Sequence, residues 1–201
     1  MKVPLDEVLA RAGEFFMGTS PVHETARRIT KALDDLRIPF AVAGALAANA
    51  HGHRRTTEDV DLLVTRDGLA AFKQARLGRG WVEKFAGSKG LIDAVTNVKV
   101  DVLLAGEFPG DGKPKPIVFP DPATIQLERD PGGYPILPLR VLIELKLASG
   151  MTARHRPRDL DDVIQLIRAN DLPRTWAEQL DPWVREKFLE LWDAAQVDED
   201  D

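Results

Sequence analysis

The sequence contains no cysteine, a single tyrosine and only 6% aromatic residues. Without cysteine there are no disulfides, thiolate metal ligands or thiol nucleophiles, which fits a reducing compartment. No apolar run approaches the roughly 20 residues that span a bilayer. The opening "MKVPLDEVLARAGEFF" lacks the basic start and continuous apolar stretch of a secretory signal. The expectation is a cytoplasmic protein with no membrane partner. Positive charge is also in deficit: 27 Lys and Arg stand against 32 Asp and Glu, a net charge of −5. Broad nonspecific grip on nucleic acid is therefore not expected, and any polyanion must be met locally. Two short basic clusters exist, "HGHRR" at 51–55 and "RHRPR" at 154–158.

What is present is an ordinary globular balance, with 44% hydrophobic and 29% charged residues over 201 positions, enough for one well-buried domain. Apolar spacing predicts helices over 3–16 and 22–37, the second opened by Ser20 as N-cap and Pro21 in its first turn. "IPFAVAG" reads as a short strand ended by Gly44, and "ALAANAHG" as a helix stopped by Gly52. "EDVDLLVTRD" reads as a core strand and "GLAAFKQARLGRG" as a helix. A meander is expected at "WVEKF", "IDAVTN" and "VKVDVLLAG". The Gly/Pro segment "GEFPGDGKPKP" at 106–116 is the candidate hinge between an α/β core, 1–105, and a mainly helical half, 106–201. That half opens with a strand pair at "PIVF" and "YPIL". Helices follow at "LRVLIELKLAS", "PRDLDDVIQLIRAN" and "DPWVREKFLELWDAA", before a frayed acidic tail at 198–201. Trp81, Trp176, Trp183 and Trp192 read as core and interface anchors.

The most informative stretch is "AVAGALAANAHGHRRTTEDVDLLV". Strand side chains alternate, so Asp59 and Asp61 project from one face while Val60 and Leu62 project from the other. Paired carboxylates repel unless a cation or a raised pKa relieves them, which suggests Mg²⁺. Asp101, inside the apolar run "VKVDVLLAG", offers a third carboxylate. Three such aspartates on neighbouring strands suit two metal ions about 3.5–4 Å apart for phosphoryl or nucleotidyl transfer. Gly44 sits at a strand-to-helix turn, where backbone N–H groups can receive phosphate and a missing side chain allows close approach. Arg55 adds a cation and Thr57 a hydroxyl. Glu58 falls off the aspartate face as a strand-opening residue, and His51 reads as a capping or packing residue.

These motifs resemble the signature of the DNA polymerase beta-like nucleotidyltransferase superfamily, a Gly-Gly or Gly-Ser turn followed by an Asp-x-Asp or Asp-x-Glu strand. "HG", the Arg-x-Thr run and "DVD" resemble AbiEii-type abortive-infection proteins in particular. "LIELKLASG" and "RPRDLDDVIQLI" are similar, more loosely, to that group's lysine motif and its R-x-K/R-D-x-x-D motif. The resemblance spans about residues 38–168. It implies an α+β fold, a nucleotidyltransferase-like mixed sheet flanked by helices. It also implies Mg²⁺ on Asp59, Asp61 and Asp101, NTP phosphates near Gly44, Ala45, Arg55 and Thr57, and catalytic roles for Lys146 and Asp159. Ala45 departs from the pattern, because the usual Gly or Ser is absent and only backbone donors remain.

Lys146 lies on a helix that is apolar nearly all round. Either a phosphate or an aspartate such as Asp159 partners it, or its stem packs on the core with the ammonium in solvent. Asp162 shares a helix face with Asp159 and reads chiefly as part of a surface ion-pair ladder, and Asp161 as solvated. The leading expectation is transfer of an NMP from an NTP to an acceptor hydroxyl on RNA, protein or a small compound. Its most specific version is a toxin acting on tRNA or protein and held by an antitoxin. The alternatives are an inactive nucleotide-binding module, for which Ala45 is the hint, and a small-molecule enzyme resembling the aminoglycoside-modifying nucleotidyltransferases, for which the negative charge would suit a cationic acceptor.

Overall fold

A computed structural model describes residues 4–197, so the acidic run 198–201 and the start of the first predicted helix lie outside the described residues. Seven strands form one mixed sheet in the order β3-β4-β5-β2-β1-β7-β6. The centre is β1 (Phe40–Val42), β2 (Asp59–Val64) and β5 (Lys99–Leu104). β1 runs antiparallel to β2, and β2 runs parallel to β5. The predicted meander is present as β3 (Trp81–Glu83), β4 (Leu91–Asp93) and β5, joined antiparallel.

Period-two patterning divides the sheet into two faces. Val60, Leu62 and Val64 of β2 and Val100, Val102 and Leu104 of β5 are buried in one core. That core packs against α2 (Pro21–Asp35) and α4 (Arg66–Arg76) through Ile29, Leu33, Leu69 and Phe72. The opposite face, which carries Asp59, Asp61 and Asp101, is covered by α5 (Leu139–Thr152), α6 (Pro157–Ala169) and α7 (Pro182–Ala195) over a second core. α5 is buried from Val141 through Ser149, as its all-round apolar sequence requires.

Local signals place several boundaries. The Ser20 hydroxyl accepts from the His23 N–H to cap α2. α3 (Gly44–Ala50) ends at the His51 cap, followed by Gly52 at φ +94°. Trp81 meets Phe72 edge-on, Trp176 lies against Phe188, and Trp192 donates to the Leu172 carbonyl at 2.7 Å. α1 (Leu5–Phe16) forms, but buries only Phe15 of its apolar residues.

One strand assignment is corrected. "PIVF" is not a strand: Pro116 opens it and Pro120 follows it, neither can donate to a ladder, and Phe119 instead exchanges backbone bonds with Gly106 and Glu107 in the loop after β5. The paired strands are β6 (Glu128–Arg129) and β7 (Pro135–Ile136). β7 then joins β1 in parallel, Val42 opposite Ile136, so the sheet continues across residue 105. The 106–116 segment is tied down on α5. A side chain on Gly110 would meet the Thr152 hydroxyl at 2.2 Å, and Lys115 donates to the Pro109 carbonyl at 2.7 Å.

Leu147, fully buried at the middle of α5, faces the second core. Leu147→Ala is expected to lower unfolding free energy by about 2–5 kcal/mol, read from denaturant-induced unfolding.

Candidate active site

The parallel register of β2 and β5 sets Asp61 opposite Asp101 and Asp59 opposite Lys99. All three aspartates therefore share the face under α5 and α6. Asp61 keeps some accessible surface but is packed closely by protein. Burial, then the charge of Asp59, pushes its carboxyl from 3.8 up to about 6, with Asp101 adding to the rise and Lys146 opposing it. Each neighbour has a partner of its own: Thr57 Oγ1 donates to Asp59 Oδ1 at 2.6 Å, and Lys84 Nζ lies 2.7 Å from Asp101 Oδ1.

Gly44 exists for Asp61. Its φ is +56°, and a Cβ built there would stand 1.7 Å from Asp61 Oδ2. A side chain at position 44 would both strain the backbone and occupy the space of the carboxylate. No side chain caps α3, so its first-turn N–H groups are left to the cleft or to water. Ala45 is buried and does not form part of the cleft wall.

Lys146 enters from the other side. Of the alternatives open for it, the structure shows the buried, partnered one. The ammonium reaches Asp159 Oδ1 at 3.3 Å and bonds Asp162 Oδ2. Asp162 is the correction to the surface-ladder reading, being fully buried. It also receives Arg55, with Nη2 at 3.0 Å from Oδ2 and Nε at 2.8 Å from Oδ1, and His53 Nε2 at 3.0 Å from Oδ1. Burial works against its ionisation, but Lys146 and then Arg55 outweigh it and hold the carboxyl below the usual range. Ser149 Oγ donates to Asp159 Oδ2 at 2.6 Å. Asp161 and Glu58 are exposed, and His51 caps α3 with its ring bonded to the Leu137 carbonyl at 2.8 Å.

Of these groups, Gly44, Arg55, Asp61, Lys146 and Asp159 line a cleft of about 110 Å³ closed by Pro109 and Phe119, while Asp59 and Asp101 lie outside its wall. Thr57 is outside that wall. Sequence reasoning missed three contributors besides Asp162. Arg156 lines the cleft, Lys84 holds Asp101, and Asn49 clasps the 51–55 loop. The Asn49 amide donates to the Ala45 and Arg55 carbonyls at 2.8 and 2.7 Å and accepts from the Arg55 N–H at 3.1 Å. An asparagine close to a helix end, followed by a basic loop, is the one local signal that could have found this clasp.

No protein-family model and no curated protein sequence matches the chain. Solved structures do. The sheet and helices are similar to those of ANT(2″)-Ia in a crystal structure with adenylyl-2″-tobramycin. That match has a TM-score of 0.50 and 13% identity, over 86% of this chain and 95% of that one. A solution structure of the same antibiotic-resistance factor aligns at TM-score 0.46 and 16% identity, over 84% and 89% of the two chains. The architecture is thus the expected α+β nucleotidyltransferase-like fold, with a mainly helical C-terminal half.

Asp61 and Asp162 respond to pH in opposite senses. Asp61, raised in the folded state, favours folding below about pH 4 and loses that contribution as pH rises through about 6. Asp61→Asn is expected to match the wild type in acid and to exceed its stability at pH 8 by up to about 2–3 kcal/mol. Asp162, lowered in the folded state, contributes above the ordinary aspartate range and loses that as pH falls through its depressed value. Asp162→Ala should cost about 3–5 kcal/mol at pH 7, where it strands buried cations, and less in acid. Urea titrations across pH 3–8 separate the two.

Proposed function

We propose that this protein moves a nucleoside monophosphate from an NTP to a hydroxyl of a small acceptor, with magnesium held by Asp59, Asp61 and Asp101. The observation that carries the reading is the register that puts Asp61 beside Asp101 on the face closed by Lys146 and Arg55. The donor set suits magnesium. The three candidate ligands offer only hard carboxylate oxygens, and burial together with the charges of Asp59 and Asp101 raises the Asp61 pKa, a penalty that a divalent cation would relieve. Magnesium, held there by Asp59, Asp61 and Asp101, would supply charge neutralisation for the triphosphate and activation of the acceptor hydroxyl.

The chain's own groups do the rest. The Asp61 carboxylate fills the space beside Gly44, so a phosphate would be met there only by backbone N–H groups at the start of α3, and Ala45, buried outside the cleft wall, adds nothing to it. Arg55 and Lys146 offset charge that develops on the phosphates. Arg55 keeps guanidinium donors beyond those given to Asp162. The acceptor oxygen bonds to the α-phosphorus, pyrophosphate leaves, and the acceptor proton passes to a carboxylate. Asp101, whose side chain is 43% exposed, is the base assigned here, with Asp159 in the cleft wall as the second carboxylate. A cleft of about 110 Å³ is smaller than a nucleotide, so the NTP lies across its mouth or displaces the 106–119 wall.

A small hydroxyl compound is supported as acceptor by likeness to a fold captured with adenylyl-2″-tobramycin, and the −5 net charge would draw a cationic one. A second reading, an AbiEii-like toxin acting on tRNA or protein and silenced by an antitoxin, draws support from Lys146 and Asp159. Both residues fall in that group's motifs and stand 3.3 Å apart.

Incubation with each α-labelled NTP and Mg²⁺ tests all readings, using total tRNA, cell protein and a panel of aminoglycosides as acceptors. Label on an aminoglycoside is the expected result, abolished by Asp61→Asn. Label on tRNA or protein favours the toxin. NTP binding without transfer to any acceptor identifies an inactive binding module.

A further inference from the structure

Among the described ion pairs Lys84 is the one cation paired with any of Asp59, Asp61 and Asp101, and its placement is built into the backbone. Its N–H donates to the Gly90 carbonyl at 3.1 Å across the turn that joins β3 to β4. Its stem then runs over Gly90 so closely that a Cβ there would stand 2.5 Å from Lys84 Cδ. The ammonium arrives 2.7 Å from Asp101 Oδ1, with 29% of the lysine side chain and 43% of the aspartate exposed. Asp101 is thereby held by Lys84 and Asp59 by Thr57. Among the described residues, no three acidic or histidine side chains converge closely enough to hold a metal.

We propose that Lys84 is a built-in counter-cation that competes with the divalent metal for Asp101 and thereby sets how tightly the site loads. The inference rests on the metal reading given under Proposed function. An ammonium and a divalent cation on one carboxylate repel each other, so loading must move Lys84 aside. A half-exposed ion pair is weak enough to yield: such pairs are worth about 0.2–1 kcal/mol, which corresponds to roughly a one-and-a-half- to fivefold effect on affinity. The latch therefore tunes loading without blocking it. It also spares the unloaded site part of the repulsion among its three carboxylates.

Mn²⁺ binding to the full chain, followed by electron paramagnetic resonance, provides a readout independent of activity. Lys84→Met is expected to tighten Mn²⁺ binding about two- to fivefold, and Lys84→Arg to restore near wild-type affinity. Gly90→Ala keeps the charge but moves the stem, and should tighten binding as Lys84→Met does. Circular dichroism confirms that each variant folds. If the wild type binds Mn²⁺ in a manner lost in Asp61→Asn, yet Lys84→Met binds no tighter, the latch is overturned and the metal reading stands. Tightening in Lys84→Met but not in Gly90→Ala also overturns it, in favour of a remote charge effect. If neither the wild type nor Lys84→Met binds Mn²⁺, the metal reading falls and takes the latch with it.

Discussion

An ionised carboxylate with no access to water is a severe constraint, and the arrangement around Asp162 follows from it. Three cations or potential cations satisfy that one group, and they come from different parts of the chain. Lys146 is on α5, Arg55 and His53 are on the loop after α3, and Asp162 itself is on α6. Buried ion pairs contribute little net stability, because desolvation offsets the attraction. What they do contribute is position. The joint fixes the basic loop and two helices against each other over the sheet face that carries Asp59, Asp61 and Asp101, and it places Lys146 in the cleft wall.

The site therefore balances two opposite electrostatic problems a few side chains apart. Asp61 is desolvated and crowded by negative charge, and its carboxyl resists ionisation. Around Asp162 positive charge is concentrated, and its carboxyl resists protonation. Lys146 belongs to both environments: it bonds Asp162 and also eases the ionisation of Asp61. The substrate proposed above, a triphosphate with its metal ions, would bring both signs of charge at once, which suits a cleft divided in this way.

The sequence makes the local half of this legible. Alternation put Asp59 and Asp61 on one face, Ser20 and Gly52 marked helix ends, and the apolar girth of α5 demanded a partner for Lys146. Gly44 was recognised as a close-approach position, though the group that approaches is Asp61 of this chain. What was hidden is long-range. Asp159 and Asp162 at i and i+3 look identical whether their helix faces water or a loop more than a hundred positions upstream. Lys84 reads as one more charge in a turn until Gly90 is seen beneath its stem. The supposed strand at "PIVF" had the right residues, but its flanking prolines decided otherwise, and the sheet recruited the less apolar β6 and β7 instead.

The three-residue strand β1 has β2 on one side and β7 on the other, and β7 lies in the other half of the chain. During synthesis β1 and β2 emerge long before residues 135–136. Until then β1 presents an open edge with unpaired N–H and C=O groups. The aspartate face of the sheet is bare over the same interval, because α5 to α7 are made later still. Non-local closure of this kind slows folding and leaves incomplete sheets open to wrong pairing. The same topology delays assembly of the cleft: Asp61 can meet Lys146 only after α5 docks, so the carboxylate cluster and its opposing cation come together after the sheet's first strands have formed.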